Sequence, residues 1–137
     1  RYANLEISYL LQKMEQYEGI AILATNLRQN LDEAFVRRLA FIVHFPFPDE
    51  AMRRRIWAGI WPDSVPRAED LDLDTLAKQL KLSGGNIKNV ALSAAFLAAD
   101  DGQVVTRNHI QQAANRELQK LGKPLRQTDE GFSKAST

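Results

Sequence analysis

Pro46-Phe47-Pro48 cuts this sequence into two patterns that cannot belong to one kind of element. Two prolines in three residues remove backbone donors and fix φ, so neither a helix nor a sheet interior runs through them. Before the cut lie two short apolar runs, residues 20–24 and 41–45, of the length and composition of buried strands. After the cut every apolar pattern has helical spacing. The chain therefore reads as the end of an α/β sheet domain, residues 1–48, followed by an all-α bundle, residues 49–124. Residues 125–137 read as a flexible polar tail.

Helix signals punctuate both halves. Ile7, Leu10, Leu11 and Met14 lie on one helical face, and Gly19 is placed to end that helix in a left-handed conformation. Residues 31–39 read as a short helix capped by Asn30 or Asp32. Asp49 caps a helix with Met52, Ile56 and Ile60 inward and Trp57 and Trp61 beside them; Asp74 caps a shorter one. Ser83-Gly84-Gly85 reads as a turn, with a helix from Asn86 to about Ala99 that Gly102 closes. Thr106 then caps a last helix carrying Ile110, Ala113, Ala114, Leu118 and Leu121, ended by Gly122 and Pro124.

Composition narrows the function classes. Among 137 residues, 45% are hydrophobic and 26% charged, as in an ordinary globular protein. A net charge of +1 disfavours a dedicated nucleic-acid binder. The absence of cysteine excludes disulfides, zinc-thiolate sites and thiol nucleophiles. No apolar run is long enough to span a bilayer and no signal peptide opens the chain, so a cytoplasmic protein without a membrane partner is expected. The chain starts without methionine, inside a helical pattern, and reads as a piece of something longer.

Three constellations could carry chemistry. Asn26 follows the first apolar run, where open α/β sheets bind ligands. Its carboxamide could hold a phosphate oxygen and orient a water, or it could simply belong to a turn. Arg37-Arg38 ends a helix, where guanidinium groups either meet the helix dipole or reach a phosphate. Gly84, Gly85 and Asn86 open a helix, where backbone amides attract anions, and Lys88 follows where a cation opposes the dipole. Arg53-Arg54-Arg55 reads as a solvated helix face with Asp49 and Glu50 as partners. His44 and His109 have no carboxylate, serine or second histidine at metal or triad spacing and read as structural, so no metal site is expected.

The order AILATN, LDEAFVRRL, FPFPDEAMRRRIW, LSGGNIKNVALSAAF resembles the C-terminal half of an AAA ATPase module: the second region of homology and the helical lid. The likeness covers residues 5–121. It implies a P-loop-type parallel sheet ahead of the lid, and hydrolysis of ATP with Mg2+ by a ring, hexameric in the family, that remodels a protein substrate. By that resemblance Asn26 matches the sensor-1 residue, Arg37 and Arg38 the arginine fingers that act on a neighbouring subunit, and Gly84, Gly85 and Asn86 the sensor-2 turn near adenine and ribose. Lys88 stands where many branches carry a sensor-2 arginine. The sequence departs from the family in having Leu39-Ala40 directly after the arginines, which leaves both as finger candidates. No GxxxxGK(S/T) loop and no strand ending in Asp-Glu occurs, so the phosphate cradle and the metal ligands are expected upstream and this piece alone is expected to be inactive. Two other functions compete: a helical protein-docking adaptor, and a DNA-binding module using residues 53–55.

Overall fold

The computed structural model describes residues 2–26, 31–102 and 104–123. They form six helices: α1 (Tyr2–Gln16), α2 (Glu33–Val36), α3 (Glu50–Gly59), α4 (Leu73–Gln79), α5 (Gly84–Asp100) and α6 (Arg107–Lys120). The chain divides into two compact units, Arg1–Phe45 and Pro46–Thr137. The expected tail, Pro124 and Asn30 lie outside the described residues.

In the N-terminal unit α1 buries Leu11, and α2 buries Phe35. Asp32 caps α2 by accepting the Phe35 amide at 2.7 Å, which satisfies one orphan donor of a helix only 4 residues long. Gly19 is not left-handed, contrary to the sequence expectation. A Cβ there would fall 2.5 Å from the ring of exposed Tyr17, which is free to swing aside.

No sheet is present among the described residues. The two runs expected as strands, 20–24 and 41–45, form no regular element and are exposed. A parallel strand is held by ladder bonds to neighbours brought alongside through crossover connections, and two runs of five residues cannot supply such neighbours to each other.

The second unit closes a core of its own. Trp57, Ala77, Ile87, Val90, Ala94, Ile110 and Ala114 are sealed from solvent, with Leu76, Leu82 and Val105 beside them. Helices α5 and α6 form its principal contact, and α3 packs on α4 and α5. Each helix starts on a side-chain cap: Asp49, Asp72, Ser83 and Thr106. Gly102 and Gly122, at φ 64° and 65°, turn the chain out of α5 and α6 through a region that a Cβ disfavours. Between the helices, Val105 donates to Pro66 and accepts from Ala68, each at 2.9 Å, which pins the loop before α4 to the α5–α6 connection.

The faces differ in detail from the spacing argument. Along α3 the buried line is Arg53 and Trp57, continued by Trp61, while Met52 is exposed and Ile56 and Ile60 are half-buried. Trp57 and Trp61 stack at 6.2 Å, and the Arg67 guanidinium sits 6.0 Å from the Trp61 ring. Asp72 rather than Asp74 caps α4, and Asp74 instead pairs with Arg54.

Candidate functional site

The residues expected to form the site fall in both units. Asn26 is exposed at a bend that closes the first apolar run. Arg37 is the last residue of the α2 turn and pairs with Glu33, one turn back. Arg38 reaches Glu15 of α1 at 3.3 Å. Both guanidinium groups are at least half exposed, so these ion pairs hold them only weakly and leave them able to exchange partners.

Gly84 and Gly85 are the first two residues of α5 rather than a turn before it, because Ser83 takes the cap. Its hydroxyl accepts the Asn86 amide at 3.2 Å, and its carbonyl accepts the Ile87 amide at 2.9 Å. The Gly84 and Gly85 amides come earlier, where a helix offers no acceptor of its own. Their direction and the helix dipole suit an anion. The protein does not need glycine at either place. A Cβ on Gly84 would meet only Ile56 Cδ1 at 3.6 Å, and one on Gly85 would come no closer than 3.9 Å to Ser83 Oγ. Two glycines in a first turn cost helix stability relative to alanine and gain nothing in packing here. The early helix start also moves Lys88 into the second turn, where opposition to the dipole is weak. Lys88 is exposed and, among the described residues, pairs with no carboxylate.

Asn86 faces inward. Its Oδ1 accepts from the Ser83 hydroxyl and its Nδ2 donates to Glu117 Oε1 at 3.0 Å. Asn89 donates to the same oxygen at 3.0 Å, and Lys120 to Oε2 at 2.8 Å. Glu117 is 5% exposed. Hydrogen bonds from Asn89, Lys120 and Asn86 hold its carboxyl down at about 2, because each favours the charged form more than burial opposes it. Glu117 does not stand out in the sequence as a site residue. A signal for it existed: Ile110, Ala113, Ala114 and residue 117 lie on one helical face, so the glutamate falls in an apolar stripe.

Arg53 was also misread, as solvated. It is buried, with Nε donating to the Ala77 carbonyl and Nη1 to the Pro48 carbonyl, each at 2.8 Å. Two backbone acceptors, one at the C-terminal end of α4, offset the loss of water. With Arg54 on Asp74, residues 53–55 do not present one basic surface. His109 does find the carboxylate and hydroxyl that its sequence neighbourhood concealed. Nε2 lies 2.8 Å from Asp101 Oδ2 and Nδ1 lies 3.1 Å from the Thr106 amide and hydroxyl. The Thr106 amide must donate to Nδ1, so Nε2 carries the proton and points at Asp101. That arrangement is a capping box for α6, and it leaves no free ring nitrogen to act as a base. Among the described residues no cluster of His, Asp or Glu could hold a metal ion, and no helix is long and apolar enough to cross a membrane.

The helical unit thus opens its longest helix, α5, on two glycines whose amides have no acceptor within the helix. No family model matches the chain, but curated proteins do. It is 31% identical over 144 residues to human ATPase family gene 2 protein homolog A, matching 98% of this chain and 16% of that protein. It is 32% identical over 137 residues to ATP-dependent zinc metalloprotease YME1L of Drosophila melanogaster, across 94% of this chain and 18% of that protein. It is 32% identical over 128 residues to the proteasome-activating nucleotidase of Methanopyrus kandleri, across 88% and 29%. The chain thus belongs to the AAA ATPase family, whose members use ATP. It spans less than a third of each of these relatives.

Proposed function

We propose that this chain is the C-terminal part of an AAA ATPase module that couples ATP hydrolysis to remodelling a protein partner. Residues 1–48 would end the sheet subdomain, with 20–24 and 41–45 as strands in a sheet completed by other residues of the protein. Residues 49–124 would be the helical lid. The observation that carries the proposal is the Gly84-Gly85 start of α5, where the chain gives up helix stability without any packing return.

Bound ATP would bring the phosphoryl group to be transferred and the Mg2+ that accompanies it. The residues of this chain would do the rest by position and charge. Gly84 and Gly85 would let a nucleotide approach their amides, with Asn86 fixing the turn. Asn26 would donate its carboxamide to orient the attacking water. Arg37 and Arg38 would serve a neighbouring subunit's site in a ring of copies, hexameric by family likeness, where a guanidinium offsets charge developing on the phosphoryl oxygens. Their loose surface pairs with Glu33 and Glu15 fit a role that requires changing partner. Lys88 would add positive charge without the bidentate grip of arginine. A protein substrate is suggested by relatives named as proteasome-activating and as metalloproteases. Residues 1–137 alone would not turn over ATP.

Substitution at Gly85 tests the proposal, because it separates stability from binding. Gly85→Ala should stabilise the helical unit by about 0.5–1 kcal/mol, since alanine is the better helix former and the Cβ has room. In the intact ATPase, Gly85→Val should weaken ATP binding about tenfold or more, and Asn26→Ala should abolish turnover while leaving binding in place. Isothermal titration and phosphate release read these out. Unchanged ATP affinity in Gly85→Val, or turnover by residues 1–137 alone that survives Asn26→Ala, would overturn it.

A further inference from the structure

Glu117 is an odd residue for its place. It sits on the buried face of α6 beside Ala113 and Ala114, where an apolar side chain would bury without the cost of a charge. Both oxygens of its carboxylate are engaged: Asn86 and Asn89 donate to Oε1, Lys120 to Oε2. What a carboxylate supplies and a methyl group does not is direction. An apolar contact would let the start of α5 slide or rotate on α6. Two amides converging on one oxygen fix both its rotation and its height.

The chain of contacts leads to the glycines. Asn86 cannot move without Ser83, because the Ser83 hydroxyl both donates to the Asn86 side chain and accepts the Asn86 amide. Ser83 and Asn86 are the residues that bracket Gly84 and Gly85. A side chain on α6, 31 residues from Asn86 in sequence, therefore sets the attitude of those two backbone amides.

We propose that Glu117 is a positioning residue for nucleotide: through Asn86 and Ser83 it holds the Gly84-Gly85 amides in the orientation that meets ATP. This rests on the function proposed above. The glutamate touches no substrate, and its removal should loosen the ATP site more than it slows chemistry.

Steady-state ATPase kinetics of the intact enzyme, measured well below its unfolding temperature, test this. Glu117→Ala should raise the KM for ATP about tenfold with kcat within about threefold of wild type, as for loss of charged hydrogen bonds that hold a binding group. Glu117→Gln, whose amide oxygen still accepts from Asn86 and Asn89, should restore KM to within about threefold. A purely architectural glutamate would lower the unfolding temperature of Glu117→Ala and leave KM alone, and that result overturns the inference. Gly85→Val in parallel separates the two levels. If it raises KM and folded Glu117→Ala does not, the role of Glu117 fails alone; if Gly85→Val has the wild-type KM, the nucleotide assignment fails and the inference falls with it. Should Glu117→Ala not fold, Asn89→Ala carries the test: a KM raised about threefold supports the tether, and an unchanged KM overturns it.

Discussion

The two units carry similar apolar residues and treat them in opposite ways. In the N-terminal unit Ile20, Ile22, Phe41 and Phe45 are 87–90% exposed. In the helical unit Trp57, Ile87, Val90 and Ile110 have no exposure at all. The difference lies in what each element needs as a partner. A helix satisfies its own backbone and has only to find another apolar face, which α5 and α6 provide across a short connection. A strand needs hydrogen-bonding neighbours before its side chains can be covered. The helical unit therefore closes a core of its own, while residues 20–24 and 41–45 keep their apolar surface exposed.

That contrast is broken or sharpened first by truncating one side chain in each unit. Trp57→Ala should destabilise the helical unit by about 3–5 kcal/mol in urea unfolding, through lost burial and the cavity left behind. Phe41→Ala should change the same transition by no more than about 0.5 kcal/mol. Equal effects would mean that the two units fold as one and that the contrast is false.

Next in size is Arg53. Arg53→Met keeps much of the stem but leaves the Ala77 and Pro48 carbonyls without their donor. A cost of about 2–3 kcal/mol is expected, against less than about 0.5 for exposed Arg55→Ala, again by urea unfolding. Arg53 also ties Pro48 to α3 and α4 within the helical unit, next to Asp49, whose side chain caps α3.

The smallest effect is one of pH. The Glu117 carboxyl is held at about 2 in the folded chain against an ordinary 4.5, so the folded state binds its proton less readily than the unfolded state does. Its contribution is then complete above about 4.5 and is lost as pH falls towards 2. Thermal unfolding followed from pH 6 to pH 2.5 should show a decline of about 1–2 kcal/mol in wild type that Glu117→Gln lacks. Parallel curves for the two proteins would remove Glu117 from the source of acid sensitivity.

Much of the helical unit could be read directly. Asp49 and Thr106 cap where expected, and Gly102 and Gly122 stop α5 and α6, since capping and αL turns are settled within three or four residues. The cap of α4 slipped from Asp74 to Asp72 because two aspartates two residues apart offer the same local signal, and Arg54 claims one of them. The runs 20–24 and 41–45 suggested strands, and no strand forms there, because an apolar run names a preference and not a partner. Of the proposed site, Asn26, Arg37, Arg38, Gly84 and Gly85 were ambiguous by type and spacing and were singled out by the resemblance to the family. Glu117 was not.

The sequence by itself determined where α3 and α6 begin, where α5 and α6 end, and that the chain changes character at Pro46, because those properties depend on neighbours a turn away. Only the tertiary structure decided that Arg53 is a buried tie, that Asn86 faces inward, and that Glu117 is the hub behind the glycines. The reason is separation. The Ala77 carbonyl lies 24 residues from Arg53, and Glu117 lies 31 from Asn86 and 28 from Asn89. A charged residue in a helical pattern looks solvated until the fold brings it the acceptors or donors that let it be buried.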